Sequence, residues 1–175
     1  SRNVDPLESA VLSITQVHGG DIYNVIPEQV TLNGTVRTFT PEIQDLVESG
    51  MKRIAEHIGQ AFGATISVNY ERRYPALVNH TEHFELCSQA AVRVFGEANV
   101  ITDTPMDMGG EDFAFMLQEK PGCYVYIGNG IGSKGGCMVH NAHYDFNDNI
   151  LSQGASYWVT LVDTVLPPSA ETGAH

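Results

Sequence analysis

One stretch near the end of the chain carries several side chains that can bind metals or transfer protons. Residues 137–148 read CMVHNAHYDFND and contain a thiol, two imidazoles and two aspartate carboxylates. Asp145 or Asp148 could orient the second ring nitrogen of a ligating histidine. The pair His140 and His143 is weak evidence alone, because a zinc-type site needs three or four ligands and this loop supplies one or two. A metal-ligating role for His140 and an incidental polar turn are both compatible with this stretch.

Four further polar residues have a structural and a functional interpretation. Asn24 lies among apolar neighbours before a proline, where an Asx-type turn is the structural alternative. Arg37 falls within a predicted strand, either as a cross-strand charge partner or as an anion-binding group. Glu111 and Asp112 follow two glycines and fit either a functional pair or a helix N-terminus, where the helix dipole favours acids.

The elements that must position these residues alternate, in the first part of the chain, between strands and one long helix. Apolar alternation predicts strands from Ala10 to His18, from Glu28 to Phe39 and from Ala64 to Tyr70. Between them, Pro41 and apolar residues spaced by three or four predict an amphipathic helix that ends at Gly63. This block indicates a small α+β sandwich. It buries too little surface alone, so we expect a further strand and helix upstream.

The second part of the chain alternates helices with short strands, as an α/β layer does. Asn79 and Glu82 have the spacing of a capping pair for a helix that ends at Gly96, and His80 and His83 flank its start, where capping or solvent contact is more typical than ligation. The other predicted elements are a short strand at Val100–Thr102, a helix at Glu111–Glu119, a buried strand at Cys123–Ile127 and a helix at Asn149–Val165.

Composition excludes several classes of protein. The chain has 175 residues, 42% hydrophobic and 17% charged, with a net charge of −12. Its nine basic residues form no run longer than Arg72-Arg73, which argues against a nucleic-acid partner. Cys87, Cys123 and Cys137 are sparse and odd in number, so we expect reduced thiols and a cytoplasmic protein. No apolar run approaches the roughly 20 residues of a membrane span, and no membrane partner is expected.

Six motifs follow one another along the chain: HGGDIYNVIPE, LNGTVRTF, YPALVNH, MGGEDFAFML, PGCYVYIGNG and VHNAHYDFND. In this order and at these intervals they resemble the metal-dependent amidohydrolases of the hippurate hydrolase and N-acyl-amino-acid aminoacylase family, which includes plant auxin-conjugate hydrolases. The resemblance extends from Ser1 to about Val165. It implies the C-terminal part of a two-metal, peptidase-like α/β catalytic domain together with most of an inserted ferredoxin-like α+β lid.

The resemblance also implies a division into domains. Residues 1–9 would end the first helix of the lid and its connector, and residues 10–78 would form the lid or dimerisation domain without its first strand and helix. Residues 79–168 would form the C-terminal part of the catalytic domain, and residues 169–175 a tail. The chain begins at Ser1 without a methionine, and we expect an upstream part to be missing. The implied assembly is a homodimer or homotetramer through the lid.

Within the family pattern, this chain supplies one metal ligand, His140, from the motif His-Asn-x-x-Tyr-Asp-Phe-Asn-Asp. The resemblance implies two divalent ions per full-length subunit, of zinc, manganese, cobalt or nickel. The other ligands and the glutamate general base have no counterpart here, so no catalytic residue is expected in this chain. Asn24 and Arg37 are implied to bind substrate, and Asp112 and Asp145 to orient the metal ligands. Ala142 stands where the family usually has proline.

The implied reaction is hydrolysis of the amide bond of an N-acyl amino acid, such as hippurate, by metal-activated water. We expect this chain to be inactive alone, because most of the metal ligands lie upstream. Related activities are the deacetylation of N-acetyl-diaminopimelate and the hydrolysis of auxin conjugates. A non-catalytic dimerisation module and a structural α/β domain with incidental histidines are further alternatives.

Overall fold

The computed structural model describes residues 3–132 and 136–166. In chain order its regular elements are strands β1 (Ala10–His18) and β2 (Thr31–Thr38), followed by helices α1 (Pro41–Phe62), α2 (Thr81–Phe95), α3 (Phe113–Glu119) and α4 (Leu151–Val165). Short 3₁₀ turns at Glu97–Asn99 and Asp148–Ile150 follow α2 and precede α4. The chain divides into two compact units, the first formed by residues up to Ala76 with Asp107–Glu111, the second by Leu77–Met106 and the residues from Asp112 onward.

β1 and β2 form an antiparallel pair, as their alternating patterns predict, although β2 begins later than expected. The pairing runs from Ala10 opposite Thr38 to His18 opposite Thr31, with an irregularity between Ile14 and Gln16. A Cβ atom at Gly34, which lies opposite Ile14, would overlap the carbonyl oxygen of Ser13. Glycine at this position therefore lets the two backbones approach closely at the bulge.

Helix α1 has a clear start and stop signal, and its prediction is confirmed. The Thr40 hydroxyl accepts a hydrogen bond from the Ile43 N–H at 3.4 Å, and Pro41 occupies the first turn, where a missing N–H costs nothing. Gly63 ends the helix in the left-handed conformation, with φ 64°. These local signals explain why sequence alone located this helix.

The segment after α1 differs from the prediction of a third strand. Residues 64–70 pair with no strand in the part of the chain that the structure describes. They are attached to the helix instead, because the Ala64 N–H donates to the Gly59 carbonyl at 2.9 Å. Further on, Arg72 bridges to Asp45 and Glu48 at 2.6 Å. Hydrogen bonds from Lys52 and Arg72 lower the pKa of the Glu48 carboxyl. An apolar alternation becomes a strand only where a ladder partner is available.

The second unit has the more complete core. Helices α2 and α4 pack together, and the Arg93 guanidinium donates to the Thr164 hydroxyl at 2.9 Å across them. Tyr157 stacks on Phe95 with ring centroids 6.4 Å apart. The buried hydrophobic residues found in the described chain all belong to this unit: Cys87, Ala90, Ala114, Leu117 and Tyr157.

Two titratable side chains in this core favour their neutral forms. Burial, followed by the neighbouring Cys87, raises the pKa of the Cys123 thiol to about 12. Burial also raises the pKa of the Tyr157 hydroxyl, with a smaller contribution from Cys87. A thiol with a raised pKa is a poor nucleophile at neutral pH, so this cluster has the character of a packing site rather than a reactive one.

The start of α2 is fixed by contacts with a distant segment. The Asn79 side chain donates to the Tyr124 carbonyl at 2.9 Å and accepts from the Tyr124 N–H at 2.7 Å. The predicted pairing of Asn79 with Glu82 is therefore wrong. His80 occupies the N-cap position, but its side chain makes no capping hydrogen bond to the helix. The predicted strands at Val100–Thr102 and Cys123–Ile127 form no ladder within residues 3–132 and 136–166.

Many apolar side chains are exposed in both units. Phe62 at the end of α1 is 84% exposed, and Trp158 on α4 is 59% exposed. Val17 on β1 and Val162 on α4 are also largely exposed. These faces have the composition of a buried interface and lack a covering layer in the described chain. None of the helices described combines the length and hydropathy that a membrane span requires.

Two glycines, one inside α1 and one directly after it, give opposite predictions for stability. A Cβ atom built on Gly50, inside the helix, has no neighbouring atom within 4 Å. A Cβ atom on Gly63 has no neighbour within 4 Å either, but the backbone there has φ 64°, which L-residues rarely adopt. Gly50→Ala should stabilise the protein by about 0.5–1 kcal/mol, and Gly63→Ala should destabilise it by about 1–2 kcal/mol. Urea unfolding followed by circular dichroism measures both. A Gly63→Ala variant as stable as the parent would contradict this description of the helix end.

Candidate functional site

His140 lies on an exposed turn in the second unit. Its backbone has φ 68°, which makes it the one non-glycine residue with positive φ in the described chain. The Asn141 N–H donates to the Met138 carbonyl at 3.2 Å, and the Tyr144 N–H donates to the Asn141 carbonyl at 3.0 Å. A left-handed non-glycine residue is uncommon and is found more often than average at functional sites. The turn leaves the imidazole accessible from solvent.

Two asparagine side chains close the loop that contains His140. The Asn147 N–H donates to the Asn129 side-chain oxygen at 2.8 Å, and the Asn147 side chain donates to the Asn129 carbonyl at 3.1 Å. In addition, the Asn129 side chain donates to the Asp145 carbonyl at 3.0 Å. This arrangement, the Asn129–Asn147 clamp, joins Asn129 to the segment that directly follows the turn of His140. Sequence reasoning missed the clamp, although Asn-Gly at 129–130 and the Asn147 turn position were available signals.

The two aspartates that were predicted to orient metal ligands occupy different positions in the second unit. Asp145 contributes its backbone carbonyl to the clamp, and its side chain is exposed. Asp112 occupies the N-cap position of α3 without a side-chain cap, and its carbonyl accepts from the Phe115 N–H at 3.0 Å. No hydrogen bond joins either carboxylate to His140 in the described residues. Their orienting role therefore stays a prediction.

The two predicted substrate-binding residues lie in the first unit. Asn24 is exposed on a turn in which the Val25 N–H donates to the Ile22 carbonyl at 3.2 Å. Arg37 lies on β2 opposite Val11, with an exposed side chain. It takes part in none of the ion pairs found among the described residues. Of the two alternatives for Arg37, a charge partner on the facing strand is not found, because Val11 lies opposite, and the anion-binding role stays a prediction.

A complete metal site is not formed by the described residues. No group of three histidine, cysteine, aspartate or glutamate side chains comes together within residues 3–132 and 136–166. His140 fits the requirement for a donor, since it is exposed and the Asn129–Asn147 clamp holds the segment that follows its turn. A divalent ion bound there would need its other donors from groups outside these residues.

The sequence from residue 8 to residue 164 matches the family model described as peptidase family M20/M25/M40. The chain is 34% identical over 161 residues to hippurate hydrolase of Campylobacter jejuni, an alignment that covers 92% of this chain and 41% of that protein. It is 33% identical over 166 residues to N-acetylcysteine deacetylase of Bacillus subtilis, with 95% of this chain and 42% of that protein covered. The chain thus spans about two fifths of the length of these relatives.

The fold is similar to that of a solved structure from the same group. The YxeP protein of Bacillus subtilis, described as a dinuclear metal-binding peptidase from the M20 family, matches with a TM-score of 0.74 and 31% identity. The match covers 89% of this chain and 42% of that chain. These matches confirm the family resemblance and the mixed α/β fold class that the motifs implied.

The Asn129–Asn147 clamp can be tested at a single backbone amide. Asn129→Ala removes the acceptor of the Asn147 N–H, so this amide should exchange with deuterium faster and the unit should lose about 1–3 kcal/mol of stability. Asn129→Asp is the matched control, since it keeps an acceptor oxygen and should retain protection at Asn147. Equal protection of Asn147 in the parent and in Asn129→Ala would show that the clamp does not hold the loop.

Proposed function

The chain belongs to peptidase family M20/M25/M40, and from this premise we propose that it is part of a metal-dependent amidohydrolase that cleaves N-acyl amino acids. The observation that carries the proposal is His140, an exposed imidazole on a left-handed turn whose C-terminal side is held by the Asn129–Asn147 clamp. A catalytic metal site requires donors in fixed positions, and such a turn presents a ring nitrogen from a backbone that is held in place.

The names of the relatives support the substrate class. One relative is a hippurate hydrolase and another an N-acetylcysteine deacetylase. A third, 28% identical over 177 residues, is an IAA-amino acid hydrolase of Arabidopsis thaliana. The substrates named share an amide between an acyl group and an amino acid that keeps its carboxylate. We assign hippurate-type N-acyl amino acids to this chain as substrates, with an N-acetyl-diaminopimelate deacetylase or auxin-conjugate hydrolase as the alternative.

Two divalent ions, of zinc, manganese, cobalt or nickel, form the proposed cofactor. The dinuclear centre named for the YxeP protein supports two ions. When bound, they supply Lewis acidity and a water of lowered pKa. His140 serves as one donor through a neutral ring nitrogen, and Asp145 and Asp112 are proposed to orient the ligands. The general base is a glutamate outside this chain, so the chain is proposed to be inactive alone.

The first unit has the proposed role of a lid that recognises the non-reacting parts of the substrate. Asn24 can donate its side-chain N–H to the oxygen that gains negative charge as water attacks the amide. Arg37 can pair with the substrate carboxylate through two parallel N–H groups. We also assign to this unit the pairing of subunits into a homodimer or homotetramer, because one edge of β1 is unpaired in the described chain and carries exposed Val11 and Val17. The three free cysteines support a cytoplasmic location.

The metal-donor role of His140 is tested by elemental analysis. The test uses the polypeptide that carries this sequence together with the other metal-binding segments of the family. In it, His140→Ala should reduce the metal content from two ions per subunit to about one, because a methyl group cannot replace the imidazole as a donor. His143→Ala, a change of the neighbouring exposed histidine, is the matched control and should keep both ions. Retention of two tightly bound ions by the His140→Ala protein rejects the assignment.

The role of Asn24 is tested by kinetics in the same polypeptide. Loss of one donor to the developing oxyanion costs roughly 3 kcal/mol, so Asn24→Ala should lower kcat by about 100-fold or more. Asn69→Ala, in the same unit, removes an exposed asparagine whose side chain bonds Glu71 at 3.4 Å, and should leave kcat unchanged. A kcat equal to the parent value in Asn24→Ala would remove Asn24 from the mechanism.

A further inference from the structure

The side chain of Arg37 is presented from a fixed backbone. Arg37 lies within the β1–β2 ladder, opposite Val11 and next to the paired residues Val36 and Leu12. The ladder fixes the Cα position of Arg37, so what remains free is the direction of a long, flexible side chain. A guanidinium that must pair with a planar carboxylate benefits from neighbours that restrict this direction before the ligand arrives.

Gly110 and Tyr74 provide such neighbours within the first unit. A Cβ atom built on Gly110 would lie 3.2 Å from the Arg37 Nη1 atom and 3.2 Å from the Tyr74 Cδ2 atom. Both distances are shorter than an ordinary van der Waals contact between carbon and its neighbours. The guanidinium and the aromatic ring therefore both border the bare backbone of Gly110.

Space, not backbone conformation, distinguishes glycine from alanine at position 110. The glycines with positive φ in the described chain are Gly20, Gly63, Gly96 and Gly130, so the backbone of Gly110 is accessible to any residue. Gly109 differs in this respect: the three atoms nearest to a Cβ built on it all belong to the Asp107 carboxylate group, and the closest lies at 3.5 Å, an ordinary contact distance. The same carboxylate accepts the Gly109 N–H at 2.8 Å, which braces the turn that carries Gly110.

We propose that Gly110 and Tyr74 are positioning residues that hold the Arg37 guanidinium ready for the carboxylate of an N-acyl amino acid. The proposal rests on the proposed function, because the carboxylate is the group that the substrates share. Tyr74 acts through its ring, which lies against the same backbone as the guanidinium and limits its movement. Gly110 acts through its missing side chain, since a methyl group there would displace the guanidinium by a few tenths of an ångström.

The test uses the metal-free polypeptide that carries this sequence together with the remaining family segments, so that no turnover occurs. Hippurate is titrated while the Arg37 Nε–H resonance is followed by NMR, and hippuramide, in which a neutral amide replaces the carboxylate, is titrated in parallel. Hippurate should shift the resonance saturably and hippuramide should not. Gly110→Ala should raise the Kd for hippurate by about fivefold or more, and Gly109→Ala, one methyl group away on the same turn, should stay within about twofold. Backbone spectra of both variants report whether they are folded.

Substitutions at Tyr74 separate positioning by the ring from a general loss of structure. Tyr74→Phe keeps the ring and should keep the Kd of the parent, whereas Tyr74→Leu should weaken hippurate binding and reduce the preference over hippuramide. Equal Kd values for Gly109→Ala and Gly110→Ala, or equal binding of hippurate and hippuramide, would overturn the proposal. Such a result leaves the metal content of the His140→Ala protein unaffected, so failure here is distinguishable from failure of the proposed function.

Discussion

The need to bury apolar side chains is the constraint on which the rest of this structure depends. In the described chain, β1, α1 and α4 carry exposed valine, phenylalanine and tryptophan side chains, and burial of each such side chain stabilises a protein by about 1.5–3 kcal/mol. Backbone groups obey the same constraint, because residues 64–70 have no ladder partner in the residues described. Further polypeptide packed on these faces would satisfy both requirements.

The same requirement links the fold to the proposed chemistry. The described residues offer His140, an exposed imidazole, but no group of three metal donors. A metal centre at His140 would need further donors, and the exposed apolar faces would need side chains packed on them. Protein packed against this chain could supply both. This chain aligns with 41% of the length of one relative and 42% of the other, so each relative is more than twice as long as the aligned part. One polypeptide layer that supplies both donors and apolar cover is the simplest way to satisfy the two needs together.

Sequence located those elements whose signals are local. Thr40, Pro41 and Gly63 define α1 within its own residues, and the alternation of β1 and β2 is satisfied by a neighbour in the chain. Predictions that depended on distant partners were wrong: residues 64–70 have the pattern of a strand but no described partner, and Asn79 bonds Tyr124, 45 residues away. The Asn129–Asn147 clamp and the closeness of Arg37 to Gly110 are likewise contacts between separated segments, which periodicity cannot report.

The most direct test of the central claim is the position of the His140 ring relative to bound metal. The measurement is anomalous X-ray diffraction at the zinc edge from crystals of the zinc-loaded polypeptide that contains this sequence with the remaining family segments. The account predicts a zinc ion at about 2.0–2.1 Å from a ring nitrogen of His140, with its other donors outside this chain. A fully ligated zinc centre with the His140 ring several ångströms away would contradict it.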